Sequence, residues 1–598
     1  MRIRRFLSAI CVALLIVPAL QAADPEADIA ATSRIPEAAS GFTLQQTTSA
    51  PHFIAATAND HATQAAATML QRGGSAIDAA IAAQLVLGLV EPQSSGIGGG
   101  AFLLYWDQDN HNLHSFDGRE TAPAKVDDSY FLTEEGKPEA FFDAVIGGHS
   151  VGTPGVLRML ALAHRRFGKL PWATLFEPAI RLSEQGFVIS PRLHALLRNT
   201  PRLASSADIQ AYFFNPDGTP KAAGTQLRNP AYASTLKQLA RAGDKPFYEG
   251  AIARAIVDKI QHNPNRAGKL ALTDLKRYRA VERAPVCASF RIYVVCGAPP
   301  PSSGGVAVLT MLGLLERFPD AVLTPESTSF YHLFAEASRL TFADRDTWLA
   351  DPDFVDVPVQ GLLNPDYIAA RSRLIDPATA MLQVAPGQPA MPAATKAAAY
   401  RQAASPERVS TSHLSIVDAA GNALTMTTSI EGAFGSRLMV GGFLLNNQLT
   451  DFSFAPTDTD GQRIANRIEP GKRPRSSMAP VMVFQEGKPI LLTGSPGGSR
   501  IIDYVAKTLL YILVSGEPID SAIASPHIVH LGPVLELEKG RIDTGQQQAL
   551  QARGHKLIEV EQTSGLNVIR IERSGSVPGE TRLGGANDPR REGSVRGG

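Results

Sequence analysis

From about Ala378 to Val409 the chain is Ala/Pro/Gln-rich (Val384-Ala-Pro-Gly-Gln-Pro-Ala-Met-Pro-Ala-Ala394), with no sustained apolar period, and then runs straight into a core-type strand. Such a stretch buries too little apolar surface to offset its ordering entropy, so 378–410 reads as a mobile linker. The compact body must then be assembled from chain on both sides of it. Leu414, Ile416 and the run Ala423–Thr428 alternate or cluster as buried strands do, with Ala419-Ala-Gly-Asn422 as the turn. Thr411 therefore stands at the head of a core strand, behind a disposable segment. A chain that cuts itself between Ser410 and Thr411 fits this pattern, and the cut would give Thr411 both a hydroxyl nucleophile and a free amine.

At the other end, Arg2, Arg4 and Arg5 precede an apolar stretch, Phe6 to Leu20, and a small-residue exit, Gln21-Ala-Ala23. This is the form of a secretion signal over residues 1–22, too short to span a bilayer. Removing it takes the net charge from zero to −3. No basic stripe remains, so neither nucleic acid nor a membrane surface is implied as a partner. The expected location is secreted, in the periplasm. Cys287 and Cys296 flank what reads as a hairpin; a cross-strand disulfide and two buried thiols both fit that spacing. Two cysteines without a nearby histidine pair cannot make a zinc site.

Helices are expected at 61–72, 76–90, 154–167, 173–185, 303–317 and 327–349, and strands at 101–106, 286–296, 413–428, 437–446, 479–485 and 489–493. Ser75 and Asp78 form a capping box ahead of a helix apolar nearly all round. Helices dominate the first part and strands the second, which predicts an α/β (α+β) body of sheets between helix layers.

Several local patterns compete as chemistry. Gly96-Ile-Gly-Gly-Gly100 precedes a strand and has the wrong spacing for a dinucleotide loop, so a tight backbone crossing is the better reading. Gly494-Ser-Pro-Gly-Gly-Ser-Arg500 follows a strand and opens a helix, which aims backbone amides at an anion or a developing oxyanion. Gly148-His-Ser-Val-Gly152 matches the G-x-S-x-G elbow of a Ser150 esterase, after a candidate strand at 144–146. The intervening Thr153-Pro-Gly155 and the chain's 51 glycines weaken that match. His527 and His530 are splayed by an extended Ile528-Val529, which favours structural roles over metal binding.

Read in order, the residues resemble the γ-glutamyltranspeptidases (glutathione hydrolases), members of the N-terminal-nucleophile hydrolases. The blocks are Glu91-Pro-Gln-Ser-Ser-Gly-Ile-Gly-Gly-Gly100, Gly118-Arg-Glu-Thr-Ala-Pro123, Gly168-Lys-Leu-Pro-Trp172, Pro299-Pro-Pro-Ser-Ser-Gly-Gly305 and Thr411-Ser-His-Leu-Ser415. Leu445-Asn-Asn-Gln448 with Asp451-Phe452, Lys472-Arg-Pro-Arg-Ser-Ser-Met478, Gly494–Arg500 and Asp588-Pro-Arg590 complete the series.

The resemblance implies a four-layer αββα fold made by two chains from one precursor, a large chain 23–410 and a small catalytic chain 411–598. It implies Thr411 as nucleophile, Ser429 as the hydroxyl orienting it, and Gly497 and Gly498 as the oxyanion amides. Arg119, Ser476 and Ser477 match the grip on the substrate's α-carboxylate; Glu431, Gln448 and Asp451 match the surroundings of its α-ammonium. Glutathione or another γ-glutamyl compound would be the donor, with water, amino acids or dipeptides as acceptors, and no cofactor or metal needed. Phe452–Arg473 corresponds to a lid and contains no tyrosine or tryptophan. Some relatives on the same scaffold act instead on glutaryl groups of cephalosporins. Ammonium ligands argue for glutamyl, because carboxylates facing an apolar chain would be left unpaired.

Overall fold

A computed structural model describes residues 39–598 apart from Glu326, 393–399, 403–409 and 574–580. The expected leader thus lies outside the described residues, as do two pieces of the expected linker.

Fourteen strands make two seven-stranded antiparallel sheets. They are β1 (Thr48–Ala50), β2 (Ile54–Thr57), β3 (Gly100–Asp107), β4 (Asn112–Asp117), β5 (Val281–Arg283), β6 (Val286–Phe290), β7 (Tyr293–Gly297), β8 (Ser412–Val417), β9 (Ala423–Ser429), β10 (Val481–Gln485), β11 (Lys488–Gly494), β12 (Asn567–Arg573), β13 (Thr581–Asn587) and β14 (Ser594–Gly597). One sheet has the order β1-β13-β12-β11-β10-β7-β6, the other β14-β2-β8-β9-β3-β4-β5. Side chains of Leu104, Trp106, Val417, Met482, Leu492 and Ile569 fill the space between the sheets.

Helices cover both outer faces. Helices α1 (Asp60–Gln71), α2 (Ala76–Val90) and α3 (Val156–Phe167) pack with Leu103, Leu414, Ile416 and Met426 of the second sheet. Helices α4 (Gly304–Leu315), α5 (Thr328–Trp348) and α7 (Ile501–Leu513), with α6 (Pro365–Ser372) beside α4, cover Val295, Val481, Val483 and Val568 of the first. The layers run αββα, as expected. Every residue of α2 is buried, and the Ser75–Asp78 capping box is present, so its all-round apolarity signals an inner helix.

Some elements depart from the sequence reading. Strands expected over 437–446 shrink to the two-residue pair Met439–Val440 and Phe443–Leu444. The helix expected at 173–185 opens with a 3₁₀ turn, Trp172–Phe176, because Pro178 fits only the first turn of the α-helix that follows. Cys287 and Cys296 are directly paired across β6 and β7 and are joined in a disulfide. The linker's longest described piece, 378–392, lacks regular structure but is tied to the body: Ala380 N–H donates to Arg553 O at 2.7 Å, and Gly387 N–H to the Asp344 carboxylate at 2.7 Å.

The Ser150 elbow is not formed. Residues 141–145 are helical, Gly148–Ser150 is a single 3₁₀ turn, and no helix begins at the serine. Ser150 is fully buried, and its hydroxyl donates to Val145 O at 2.6 Å. Nothing presents that oxygen to a substrate. Ser150→Ala should therefore process and turn over substrate within about twofold of wild type, losing only about 1 kcal/mol of stability with that hydrogen bond; an inactive but folded variant would restore the esterase reading.

Glu120, just past β4, is fully buried, and burial lifts its carboxyl to about 8 despite the Arg119 guanidinium 3.7 Å away. Its folded-state value lies above the unfolded one, so the native protein holds a proton that the unfolded chain has lost between pH 4.5 and about 8. Stability falls as pH rises through that window. Glu120→Gln should gain on wild type by on the order of a few kcal/mol between pH 5 and 8.5, read as a widening melting-temperature difference. A difference that stays constant with pH would refute the assignment.

Candidate active site

Thr411 hangs from the paired strands β8 and β9. Ser412 pairs with Thr428, which sets Thr411, one residue outside the ladder, beside Ser429, the last residue of β9. Thr411 Oγ1 approaches Ser429 Oγ at 3.4 Å, long for an O–H···O bond. The Ser429 hydroxyl donates to the Ser410 carbonyl at 2.8 Å and accepts the Glu431 N–H at 2.8 Å. One side chain thus touches both the Thr411 hydroxyl and the carbonyl of the peptide bond before it.

Both flanks of that bond are held. Ser410 Oγ donates to Gln93 O at 2.5 Å, and the Gln93 amide donates to Glu91, which Arg192 also grips at 2.7 Å. On the other side, Arg591 Nη1 donates to Thr411 O at 3.3 Å. The Gly96–Gly100 loop crosses just behind: a Cβ on Gly99 would sit 2.1 Å from Ser429 O, so only glycine fits. The tight-crossing reading of that loop holds.

Past Ser429 the backbone passes through Glu431 at φ +78°, a left-handed conformation that a non-glycine residue adopts only when its surroundings impose it. Asn447 Nδ2 donates to the Glu431 carboxylate and fixes its aim. Gln448 and Asp451 lie on one 3₁₀ turn, with the Gln448 amide donating to Asp451 Oδ2 at 2.9 Å. Asn466, in the segment expected as a lid, donates to Asp451 O at 2.7 Å and accepts the Arg475 N–H at 2.9 Å. That single amide fastens the lid segment across the acidic turn.

Ser476 and Ser477 are positioned from the Pro299–Ser303 loop and α5. Ser303 N–H donates to Ser476 O at 2.6 Å, and Arg345 donates to Ser303 Oγ at 2.8 Å and Ser477 Oγ at 2.5 Å. Gly497 and Gly498 follow β11, with φ of +144° and +57°, and turn the chain into α7. A side chain at 497 would strike the Tyr504 ring at 2.8 Å.

Eight of the predicted residues meet at one cavity: Thr411, Ser429, Glu431, Gln448, Asp451, Ser476, Ser477 and Gly498, with Met478 and Ile501 completing its wall. Arg119 lies one layer deeper, fully buried. Its Nη2 donates to Asp451 Oδ2 at 2.5 Å and to Arg475 O at 2.7 Å, and its Nε to Pro474 O at 3.1 Å. The cavity measures about 20 Å³, room for a single water and not for an amino acid. Sequence reasoning missed Asn447, Arg345, Gln93 and Arg591, which act on the site only through other residues and leave no local pattern.

Among the described residues no cluster of three or more His, Cys, Asp or Glu is arranged to hold a metal. His527 and His530 flank the short strand Ile528–Val529, and His527 Nε2 bonds Ser564 Oγ at 2.6 Å, in line with structural roles.

The family model described as Gamma-glutamyltranspeptidase matches residues 62–598. A glutathione hydrolase proenzyme of Bacillus subtilis (strain 168) is 36% identical over 480 residues, covering 79% of this chain and 80% of that one. One from Escherichia coli (strain K12) is 34% identical over 541 residues, covering 88% and 89%. Among solved structures, the cephalosporin acylase from Bacillus halodurans superposes with a TM-score of 0.80 at 25% identity, covering 94% of this chain and 99% of that one. A match running over residues 62–598, together with a serine hydroxyl that meets both a threonine hydroxyl and the peptide carbonyl before it, gives the conclusion: the chain belongs to the gamma-glutamyltranspeptidase family.

Proposed function

We propose that this protein is an autoprocessed γ-glutamyltransferase and glutathione hydrolase whose nucleophile is Thr411. The observation that carries this is the contact of the Ser429 hydroxyl with both Thr411 Oγ1 and the Ser410 carbonyl oxygen. In processing, Thr411 Oγ1 attacks the Ser410 carbonyl carbon, the C–N bond breaks, and the acyl group passes to oxygen as an ester. Water hydrolyses that ester and leaves Ser410 as a carboxylate. The freed α-amine has an ordinary pKa of about 7.7–8, so near neutrality it takes the proton of its own hydroxyl.

Both products stay together. β8 and β9 of the 411–598 chain lie between β2 and β3 of the 23–410 chain, so cleavage leaves the interleaved sheet intact. Breaking the junction frees Ser410 from its place beside Ser429 and lets the cavity open to a γ-glutamyl group. Glu431, Gln448 and Asp451 then receive its α-ammonium. Ser476, Ser477 and Arg119 take the α-carboxylate, Arg119 yielding part of its hold on Asp451. The carbonyl oxygen turns toward the Gly497 and Gly498 amides as charge develops. Glutathione is the expected donor, and water, an amino acid or a dipeptide takes the acyl group from Thr411. Export to the periplasm rests on the leader pattern at 1–22; among the described residues no helix is long and apolar enough to cross a membrane.

The competing reading is a glutaryl acylase with the same nucleophile. A glutaryl group lacks the ammonium and would leave Glu431 and Asp451 facing methylenes. A γ-glutamyl anilide should therefore exceed a glutaryl anilide in kcat/KM by at least about 100-fold; a preference for glutaryl would reverse the substrate assignment while leaving the nucleophile standing.

Thr411→Ala should remain one uncut, inactive chain on a denaturing gel. Ser429→Ala should process about 10²-fold more slowly, the usual loss when one donor to a reacting carbonyl is removed. Wild-type processing in either variant would discard this junction geometry.

A further inference from the structure

We infer that a groove along the free edge of β6 binds an extended peptide ending in a free carboxylate. The groove has a volume of about 1270 Å³, and its lining shares no residue with the cavity at Thr411. Among the described residues β6 is the last strand of its sheet, with β7 as its single partner. A two-residue turn, Arg291-Ile292, joins them, so Phe290 and Tyr293 form the first hydrogen-bonded pair, and Ala288 with Val295 the next. Cys287 and Cys296 form a non-hydrogen-bonded pair, as their Cα separation of 4.1 Å requires. The N–H and C=O groups of Cys287 and Ser289 consequently point away from β7 and toward the groove. Among the described residues nothing pairs with them. A row of outward main-chain donors and acceptors is the template that an added strand completes.

The opposite wall is apolar, with Leu309 and Gly313 on α4 and Leu363 and Ile368 on or beside α6. Charge is left over at one end. Glu282 is engaged by His114 at 2.7 Å and by Arg166, and Glu316 accepts the Arg291 N–H at 2.8 Å. Arg283 is paired with Asp117 and Asp353. Arg317 and Arg373 also line the groove, and among the described residues neither has a carboxylate partner. Arg317 uses Nε and Nη2 on the Ser372 and Ile375 carbonyls, which leaves Nη1 for a ligand. Burial and the neighbouring Arg373 charge hold its pKa below the ordinary arginine value, the sign of positive charge without a counter-ion. Arg291 donates to Glu316 O and Phe318 O, which brings Arg317 to the Ser289 end of β6. A strand whose carboxylate meets the two guanidiniums runs parallel to β6, and five residues span about 17 Å, the length of β6 itself.

The probe is an N-terminally fluorescein-labelled pentapeptide of alternating valine and threonine with a free C-terminus, titrated against the processed enzyme by fluorescence anisotropy. Saturable binding is expected. C-terminal amidation should weaken it at least about tenfold, N-methylation of alternate residues should abolish it, and R317Q/R373Q should weaken it about tenfold. The same double variant should hydrolyse γ-glutamyl anilide within about twofold of wild type. No saturable binding below millimolar peptide, equal binding of acid and amide, or unchanged binding by R317Q/R373Q would overturn the inference. So would a dimer that R317Q/R373Q disperses and that takes up no peptide, because the groove would then belong to a second copy.

Discussion

A nucleophile that is to be its own general base must be the first residue of its chain, yet it must also be held as rigidly as an interior residue. The β8–β9 pairing meets both demands. It fixes Ser412 opposite Thr428 and leaves Thr411 just outside the ladder, where its backbone is free to become a terminus. A slip of one residue would turn Thr411 away from Ser429 and exchange the faces of every side chain on β8. That register is secured from both sides, since β8 pairs with β2 and β9 with β3. It is secured above by Leu414 and Ile416 against the α1–α2 layer.

Between the sheets the site is stiffened by polar contacts. His413, fully buried, bonds Thr427 Oγ1 at 2.9 Å and Ser415 Oγ at 3.2 Å, and burial lowers its pKa to about 3, so it stays neutral at working pH. A Cβ on Gly494 would lie 2.3 Å from the His413 ring. Gly494 also leads into the Gly497–Gly498 turn, so the imidazole spaces that turn from β8. Satisfied polar groups in such an interior fix one arrangement, and unsatisfied ones would each carry a desolvation penalty.

Much of this was legible in the sequence, for identifiable reasons. Helices α1 and α2 announce themselves through Gly73-Gly74 and the Ser75–Asp78 box, and β8 and β9 through alternation beside a low-complexity segment, because these signals are local. The site residues came through resemblance to a family whose blocks are scattered from Arg119 to Gly498; no spacing rule unites them. What stayed illegible was contact at long sequence separation. Arg345 reaches Ser477 from the last turn of α5, Arg591 reaches Thr411 O across 180 residues of chain, and Asn466 bridges Asp451 and Arg475. The Ser150 motif misled for the opposite reason: five residues matched a pattern whose strand-turn-helix setting this chain does not build.

The size of the cavity in the unbroken chain connects processing to substrate access. The Ser410 carbonyl occupies the Ser429 hydroxyl, and Ser410 Oγ is fastened to Gln93 O, so the group proposed to orient the nucleophile is already engaged. A γ-glutamyl compound cannot enter about 20 Å³, and the intact peptide's nitrogen is an amide without basicity. With Thr411 as the proposed nucleophile, the unbroken chain would be silent for two independent reasons, one steric and one electronic. Hydrolysis of the Ser410–Thr411 bond would remove both: it would convert the amide into an amine and release the serine carbonyl from the space where an acyl group must stand. The same hydroxyl would then serve two carbonyls in succession, first the chain's own and afterwards the donor's. Such reuse fits the place of Ser429 at the end of a strand, held by the Glu431 N–H, on a turn kept left-handed at a non-glycine residue.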